Sequence, residues 1–221
     1  MRTSLLILSA CIASGLLVVL WLDRTVPIAE DVLVTEAVDP TAATTSADRA
    51  LSVVAPAEPT CVLLDDFTGS SELSWFAVND GVMGGLSQGS VAIVDSTLVH
   101  SGVLNTNGGG FSHAGTRFAS NTLVGYSKLQ IRLNTNGRQY ALNLGDARNE
   151  RISHQAQIPL DLSGTWQEVW VAFDDTVPTI FSRRVNSAPV AADAINELNL
   201  ILGDGQDGPF AMQVDWIKAC L

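Results

Sequence analysis

The feature that most constrains the fold is a series of short apolar or alternating segments between residues 61 and 221, separated by turn-forming residues. Alternation with a period of two is clearest at Leu129, Ile131 and Leu133, whose intervening residues are polar. The dipeptide Asn136-Gly137 is typical of the tight turns that separate such segments. The pattern predicts an all-β fold, an antiparallel jelly-roll β-sandwich. The candidate strands are 61–67, 73–78, 90–95, 97–104, 110–118, 126–134, 138–145, 151–158, 165–173, 197–202 and 210–217.

The tryptophans of the later segments are Trp166, Trp170 and Trp216. We expect them to pack in the core, because burying one aromatic side chain removes about 150–250 Å² from water. A short helix is expected around residues 191–196. A domain of this size buries roughly 70% of its unfolded surface, so it needs no metal to fold.

The N-terminus has a different character. Ser4 to Leu22 holds nineteen residues without a charge, enough to cross a hydrocarbon core of about 30 Å as a helix. We interpret residues 1–22 as an uncleaved transmembrane anchor. Two other interpretations stay open, a cleaved signal peptide and a lipoprotein signal in which Cys11 of Leu8-Ser9-Ala10-Cys11 is lipidated.

Residues 23–60 hold seven acidic side chains against two arginines, and no aromatic residue. Such a segment cannot bury enough apolar surface to offset the entropy of ordering it. We therefore interpret residues 23–60 as a disordered acidic linker, and residues 61–221 as the single folded domain.

Two cysteines stand at opposite ends of this domain, Cys61 in the first candidate strand and Cys220 after the last. If the terminal strands of the sandwich pair, the two side chains can form a disulfide, which implies an oxidising compartment. Two buried free thiols are the alternative. The disulfide and the anchor together predict a single-pass membrane protein whose domain lies outside the cytoplasm, in the periplasm.

The charge balance limits the partners. The net charge is −11, and the 12 Lys and Arg residues form no run. Nucleic-acid binding requires clustered basic residues, so we exclude it. The histidines His100, His113 and His154 lack metal-ligand spacing. We expect no metal site, no cofactor and no catalytic residue.

The most informative motif runs from Trp75 to Ser87 and contains Asn79-Asp80-Gly81-Val82-Met83-Gly84-Gly85, and a second glycine cluster follows at 108–110. Asn, Asp and Gly supply the backbone conformations and local hydrogen bonds of a compact loop, and Met supplies a flexible apolar side chain. Such a loop can close the sandwich or present a recognition surface. The candidate binding residues are Trp75, Asn79, Asp80, Met83, Gly84, Gly85, Gly109, Phe111, Arg138 and Tyr140.

These motifs resemble the complex I intermediate-associated protein 30 family, whose members carry W…NDGVMGG-S, then GGF, then G-R-x-Y. Here they are Trp75 with Asn79 to Ser87, then Gly109-Gly110-Phe111, then Gly137 to Tyr140. The resemblance implies a galactose-binding-like β-sandwich and a non-enzymatic role, since eukaryotic relatives act as chaperone-like assembly factors for respiratory complex I. The anchor and linker depart from the mitochondrial pattern, so that client is not carried over.

Three functions follow from the sequence. The first is a chaperone-like domain that binds a membrane protein or a membrane complex under assembly, through the loops at 75–87 and 108–111. It requires an exposed apolar patch. The second is a carbohydrate-binding module, which requires an aromatic face open to solvent. The third is a serine hydrolase at Ser87 within Gly85-Leu-Ser-Gln-Gly89, which requires a helix directly after the serine.

Overall fold

The computed structural model describes residues 60–69 and 72–221, and these form an antiparallel β-sandwich of two sheets. The predicted all-β sandwich is confirmed. Besides strands, the described residues contain two short 3₁₀ turns, Asp80–Met83 and Phe173–Asp175. The strands are β1 (Cys61–Asp65), β2 (Trp75–Asn79), β3 (Gln88–Val94), β4 (Thr97–Leu104), β5 (Ser112–Arg117), β6 (Lys128–Thr135), β7 (Tyr140–Asp146), β8 (Ser153–Gln157), β9 (Gln167–Ala172), β10 (Val177–Ile180), β11 (Arg183–Arg184), β12 (Ile195–Leu202) and β13 (Gly208–Cys220).

The first sheet has six strands in the order β3-β4-β13-β6-β9, with β1 also paired to β13. Strand β13 is the longest, with 13 residues. Its first part pairs with β4 and its last part with β1, while β6 runs along its other edge. This strand therefore holds together both ends of the domain and the middle of the sheet.

The second sheet has seven strands in the order β11-β10-β8-β7-β12-β5-β2. Strand β12 lies in its middle, paired with β5 on one side and β7 on the other. The pairs β7–β8 and β10–β11 are consecutive in the sequence, whereas β12 pairs with strands that lie far from it in the chain. The outer face near β12 therefore brings together side chains that no local pattern connects.

The core lies between the two sheets, and the strand alternation creates it. Leu129, Ile131 and Leu133 of β6 are completely buried, and the leucines at 142 and 144 of β7 face them from the other sheet. The polar residues between them on β6 point outwards. Since each buried Leu or Ile contributes roughly 1.5–3 kcal/mol, this two-sided apolar layer is the main stabilising feature of the fold.

The disulfide prediction is confirmed. Cys61 lies directly opposite Cys220 in the β1–β13 ladder, and the two sulfurs are bonded across a separation of 159 residues. In the chain-entropy model, a loop of this length is worth about 4–5 kcal/mol to the folded state.

Other predictions were wrong in part. Residues 192–194 form a single turn rather than a helix, closed by a hydrogen bond from the Ala194 N–H to the Ala191 carbonyl at 2.9 Å. Strands β10 and β11 were missed, because Pro178 interrupts the first and the second is only two residues long. The predicted anchor at 1–22 and nearly all of the linker at 23–60 lie outside the described residues. Within the described residues, no helix has the length and apolar character needed to span a bilayer.

Candidate functional site

The loop motif is built around the carboxylate of Asp80, which is completely buried. One carboxylate oxygen accepts hydrogen bonds from the Ser87 hydroxyl at 2.6 Å and from the Gly110 N–H at 2.5 Å. The other accepts the Ser87 N–H at 2.9 Å. Asp80 thus connects the Trp75–Ser87 loop to the second glycine cluster, and its carboxylate is occupied by the protein itself.

The ionisation of Asp80 follows from the same contacts. Burial alone would raise the pKa of this carboxyl group. The hydrogen bonds from the Ser87 hydroxyl and from the backbone amides of Gly110 and Ser87 outweigh burial and hold the pKa below its ordinary value. Asp80 therefore remains a carboxylate at neutral pH, which is the form that accepts all of these hydrogen bonds.

Steric and conformational constraints explain why the motif has glycine at these positions. A Cβ atom at Gly85 or Gly109 would overlap the Asp80 carboxyl group. Gly84 has a φ of 87°, a left-handed conformation that ends the short 3₁₀ turn and that glycine adopts without strain. The predicted binding residues Gly84, Gly85 and Gly109 therefore allow the two loops to close around one buried carboxylate.

Asn79 belongs to a second buried network, which joins the two sheets. The Ser112 hydroxyl donates to Asn79 Oδ1 at 2.7 Å, and His100 Nε2 lies 2.8 Å from the Ser112 oxygen. Asn79 Nδ2 donates to the Gly89 carbonyl at 3.0 Å. Burial lowers the pKa of His100 to about 4, so this imidazole is neutral at pH 7.

The same loop exposes three apolar side chains, which we call the apolar tip. Val82 is 76% exposed, and Met83 and Leu86 are each 58% exposed. They lie between Asp80 and Ser87, the two residues that are anchored below. The motif thus holds an apolar surface out into solvent on a rigid base.

Ser87 does not have the surroundings of a nucleophile. Its hydroxyl contacts the Asp80 carboxylate and the Asn105 backbone, and the chain continues directly into strand β3 rather than a helix. An esterase-type nucleophile requires a strand-to-helix turn and an adjacent base. In the described part of the chain, no group of three or more His, Cys, Asp or Glu side chains could hold a metal ion.

Arg138 and Tyr140 also have structural partners. The Arg138 guanidinium forms a bidentate pair with Asp204, at 2.6 and 2.7 Å, and donates to the carbonyls of Gln206 and Pro209. Tyr140 is completely buried in the core. Arg138 therefore holds the turn before β13, and the Tyr140 ring cannot stack on a ligand without opening the core.

Trp75 and Phe111 are partly buried. The Trp75 indole N–H donates to Asp65 at 2.9 Å, and its ring meets Phe67 edge to face at 5.8 Å. Phe111 lies near the His113 ring, with centroids 6.4 Å apart.

The tryptophans of the later strands face solvent instead of the core. Trp166 is 40% exposed and Trp170 is 38% exposed, on the outer side of the six-stranded sheet, so the expectation of core packing was wrong for both. Arg132 lies 5.6 Å from the Trp166 ring centroid and the Lys128 ammonium 5.3 Å from that of Trp170. These cation–π contacts stabilise the exposed rings and cover part of their surface.

The outer face of the seven-stranded sheet carries a set of residues that the sequence analysis did not find. We call this set, Phe76, His113, Asn143, Gln155 and Asn199, the amide face. In register, Phe76 lies opposite Gly115, Gly115 opposite Asn199, Asn199 opposite Asn143, and Asn143 opposite Gln155. Phe76 and His113 contact each other with ring centroids 6.4 Å apart. The alternation of each strand predicts that these side chains point outwards. Only the strand order places Phe76, Asn199, Asn143 and Gln155 in one row, with His113 two residues from that row on β5.

The family model of complex I intermediate-associated protein 30 matches residues 66–214, about two thirds of the chain. The chain belongs to this family. The matched range contains the Asp80 loop, the second glycine cluster and the Arg138–Asp204 pair. A search of curated protein sequences finds no match.

Two solved carbohydrate-binding modules have a fold similar to that of this chain. The family 11 carbohydrate-binding module of the cellulosomal cellulase Lic26A-Cel5E of Clostridium thermocellum superposes with a TM-score of 0.54 at 14% identity, over 72% of this chain and 94% of the module. A family 11 module from the same organism, in complex with a β-1,3-1,4-mixed-linked tetrasaccharide, superposes with a TM-score of 0.53 at 14% identity, over the same shares. At this identity, the likeness shows the fold alone.

Proposed function

We propose that this domain is a non-catalytic binding module that contacts a protein partner through the apolar tip, in a chaperone-like or assembly role. The observation that carries the proposal is the exposure of Val82, Met83 and Leu86 on a loop whose base is fixed by Asp80. Exposed apolar groups held in one place are typical of protein interaction sites. Family membership supports the same role, because the family is named for its association with an assembly intermediate.

The rigidity of the tip favours binding. Association normally costs the entropy of ordering interface side chains and loops, about 0.5–1.5 kcal/mol for each flexible side chain. The backbone below the tip is already fixed by the buried carboxylate, so the cost of ordering the loop is reduced, and the cost of ordering the three exposed side chains remains. Met83 adds a side chain that adapts to irregular apolar surfaces.

The partner in this proposal is a membrane protein or a membrane complex under assembly. The proposal includes an N-terminal anchor and a domain outside the cytoplasm. The disulfide between Cys61 and Cys220 supports that location, because such bonds persist in oxidising compartments.

Site-specific photo-crosslinking in the native membrane tests this function. A photoreactive amino acid replaces Met83 in the full chain, and the control replaces Val94, which is also exposed but lies at the end of β3. We expect a defined adduct from position 83, and its loss when Val82 and Leu86 are both changed to Ser. Equal adducts from both positions would contradict the proposal.

Carbohydrate binding is the second candidate, and the amide face favours it. Neutral amides, an imidazole and a phenyl ring on a sheet face are suitable contacts for sugar hydroxyls and sugar rings. The exposed tryptophans provide a second aromatic surface, on the opposite face of the sandwich. One of the modules that share the fold binds a mixed-linked tetrasaccharide. Thermal-shift measurements across a panel of glycans test this candidate, which requires at least one glycan to raise the Tm.

A further inference from the structure

The amide face contains three buried polar atoms that have no hydrogen-bond partner among the described residues. They are His113 Nε2, Asn143 Oδ1 and Asn199 Oδ1. Buried polar groups are paired in the great majority of cases, and each unpaired one costs roughly 1–3 kcal/mol. The other such atoms in the described residues belong to side chains that point into the core. Three such acceptors on one outer face can be satisfied by a ligand once the side chains that cover them move aside.

The strand register puts these atoms close together. Asn199 on β12 lies directly opposite Asn143 on β7, and Asn143 lies directly opposite Gln155 on β8. Because adjacent strands are about 4.8 Å apart, the three amides span on the order of 10 Å across the sheet. His113 lies on β5, on the other side of β12.

The Asn199 amide packs closely against the backbone of β5 at Gly115. A Cβ atom at Gly115 would overlap Asn199 Oδ1. Asn199 Nδ2 donates to Glu197 at 3.0 Å, and Glu197 also pairs with Arg117 at 2.8 Å. The amide nitrogen therefore has a partner, and the amide oxygen has none among the described residues.

The type of atom selects the type of ligand. An amide oxygen only accepts hydrogen bonds, so its partner must be a donor. Burial lowers the pKa of His113, which keeps this ring neutral and leaves one ring nitrogen as an acceptor. Carboxylates and phosphates offer these oxygens no donor, whereas hydroxyl groups do. The rings of Phe76 and Phe111 both lie 6.4 Å from the His113 ring and supply apolar surface. The Arg117 guanidinium lies 5.5 Å from the Phe76 ring centroid and covers part of that ring.

We propose that the amide face binds a neutral, hydroxyl-rich ligand, a saccharide that displaces the side chains covering Asn143 Oδ1 and Asn199 Oδ1 and donates its hydroxyls to these two oxygens. The inference rests on the second function proposed above and assigns its site and ligand class. It places the saccharide on the seven-stranded sheet, on the opposite side of the sandwich from the exposed tryptophans.

The substitution Asn143→Val gives a sharp test, because it removes an acceptor that has no partner and inserts a strand-forming side chain. We expect the Tm of the ligand-free protein to stay unchanged or to rise. We expect the affinity for saccharides to fall at least tenfold. The matched control is Asn134→Val, which changes an outward-facing amide on β6 of the other sheet. A second variant, Gly115→Ala, displaces the Asn199 amide and weakens binding as well.

The probes are neutral tetrasaccharides of glucose, xylose and galactose, with tetragalacturonate as the anionic counterpart, measured with the full chain by calorimetry and thermal shift. Binding of a neutral probe that Asn143→Val weakens at least tenfold and Asn134→Val preserves supports the inference. If Asn143→Val still binds the probe and Trp166→Ala or Trp170→Ala does not, the amide face is not the binding site. Carbohydrate binding as the second function is then still supported. Preference for the anionic probe, or a lower Tm for ligand-free Asn143→Val, also overturns it. If no probe binds, both the inference and the second function fall.

Discussion

The Ser87 hydroxyl donates a hydrogen bond to the Asp80 carboxylate at 2.6 Å, and both groups are buried. This pair closes the loop that carries the apolar tip, and the Gly110 amide joins it from the second glycine cluster. The motif between Trp75 and Ser87 thus fixes the base of this loop through buried hydrogen bonds. Its exposed residues lie between the anchored ones.

The substitution Asp80→Asn should destabilise the domain. It keeps the shape of the side chain but removes its charge, and it turns an amide nitrogen towards backbone N–H donors. We expect a loss of about 3 kcal/mol in the free energy of unfolding, measured by urea denaturation. Asp174→Asn changes an exposed carboxylate and serves as the control, with an expected effect within about 0.5 kcal/mol. Equal stability of the two variants would refute the role of Asp80.

Two glycines of the same motif should respond differently to alanine. Gly85→Ala forces a Cβ atom against the Asp80 carboxyl group, and we expect it to cost about 1–3 kcal/mol. Gly81→Ala meets open space and a permitted backbone conformation, so its expected effect is within about 0.5 kcal/mol. Thermal unfolding of the two variants measures the difference in stability. If Gly81→Ala is less stable than Gly85→Ala, the packing of Gly85 against Asp80 is contradicted.

The buried imidazole of His100 predicts a loss of stability in acid. Burial lowers its pKa from 6.5 to about 4 in the folded state. The neutral ring therefore contributes stability that is complete above pH 6.5 and is lost as the pH falls towards 4. The loss approaches about 3 kcal/mol below pH 4.

Unfolding free energies at pH 7 and pH 4.5 check this prediction in wild type and in His100→Gln, which places a polar side chain without a titrating group at the same position. Carboxylates contribute equally to both proteins, so the difference between them reports His100. We expect wild type to lose more stability than the variant on acidification. A parallel loss in both would rule out His100 as the cause.

Removal of the disulfide should weaken the domain strongly. Replacing Cys61 and Cys220 together by Ser removes a bond between residues that are 159 positions apart in the sequence. We expect the free energy of unfolding to fall by up to about 4–5 kcal/mol. Urea denaturation of the double variant measures the cost. Mass spectrometry after thiol blocking supplies the check on wild type, where neither cysteine should be alkylated before reduction.

The sequence predicted the sandwich and the disulfide because both depend on local pattern or on position. Alternation in β6 and β7 assigns each residue to one of two faces, and the terminal cysteines meet once the terminal strands pair. Alternation does not say which face is the core. In β9, Val169 and Val171 point inwards and Trp170 points outwards, so the size of the tryptophan suggested the wrong side.

The amide face could not be predicted for a different reason. Asn143 and Asn199 are 56 residues apart (199 − 143) and become neighbours only because β12 pairs with β7. Single outward-facing amides on strands carry no signal of their own. The sequence motif marks the loop that carries the apolar tip, but which of its residues are anchored and which are exposed depends on burial. Asp80 is completely buried and Val82 is 76% exposed, two residues apart.

The covalent bond between the first and last strands also determines how the domain responds to force. Strand β1 begins at Cys61 and strand β13 ends at Cys220, and the two residues are bonded. A pull applied between residues 60 and 221 is carried by the sulfur–sulfur bond, so it does not peel β1 away from β13. The sandwich is therefore expected to keep its shape under mechanical tension that would unzip a reduced domain.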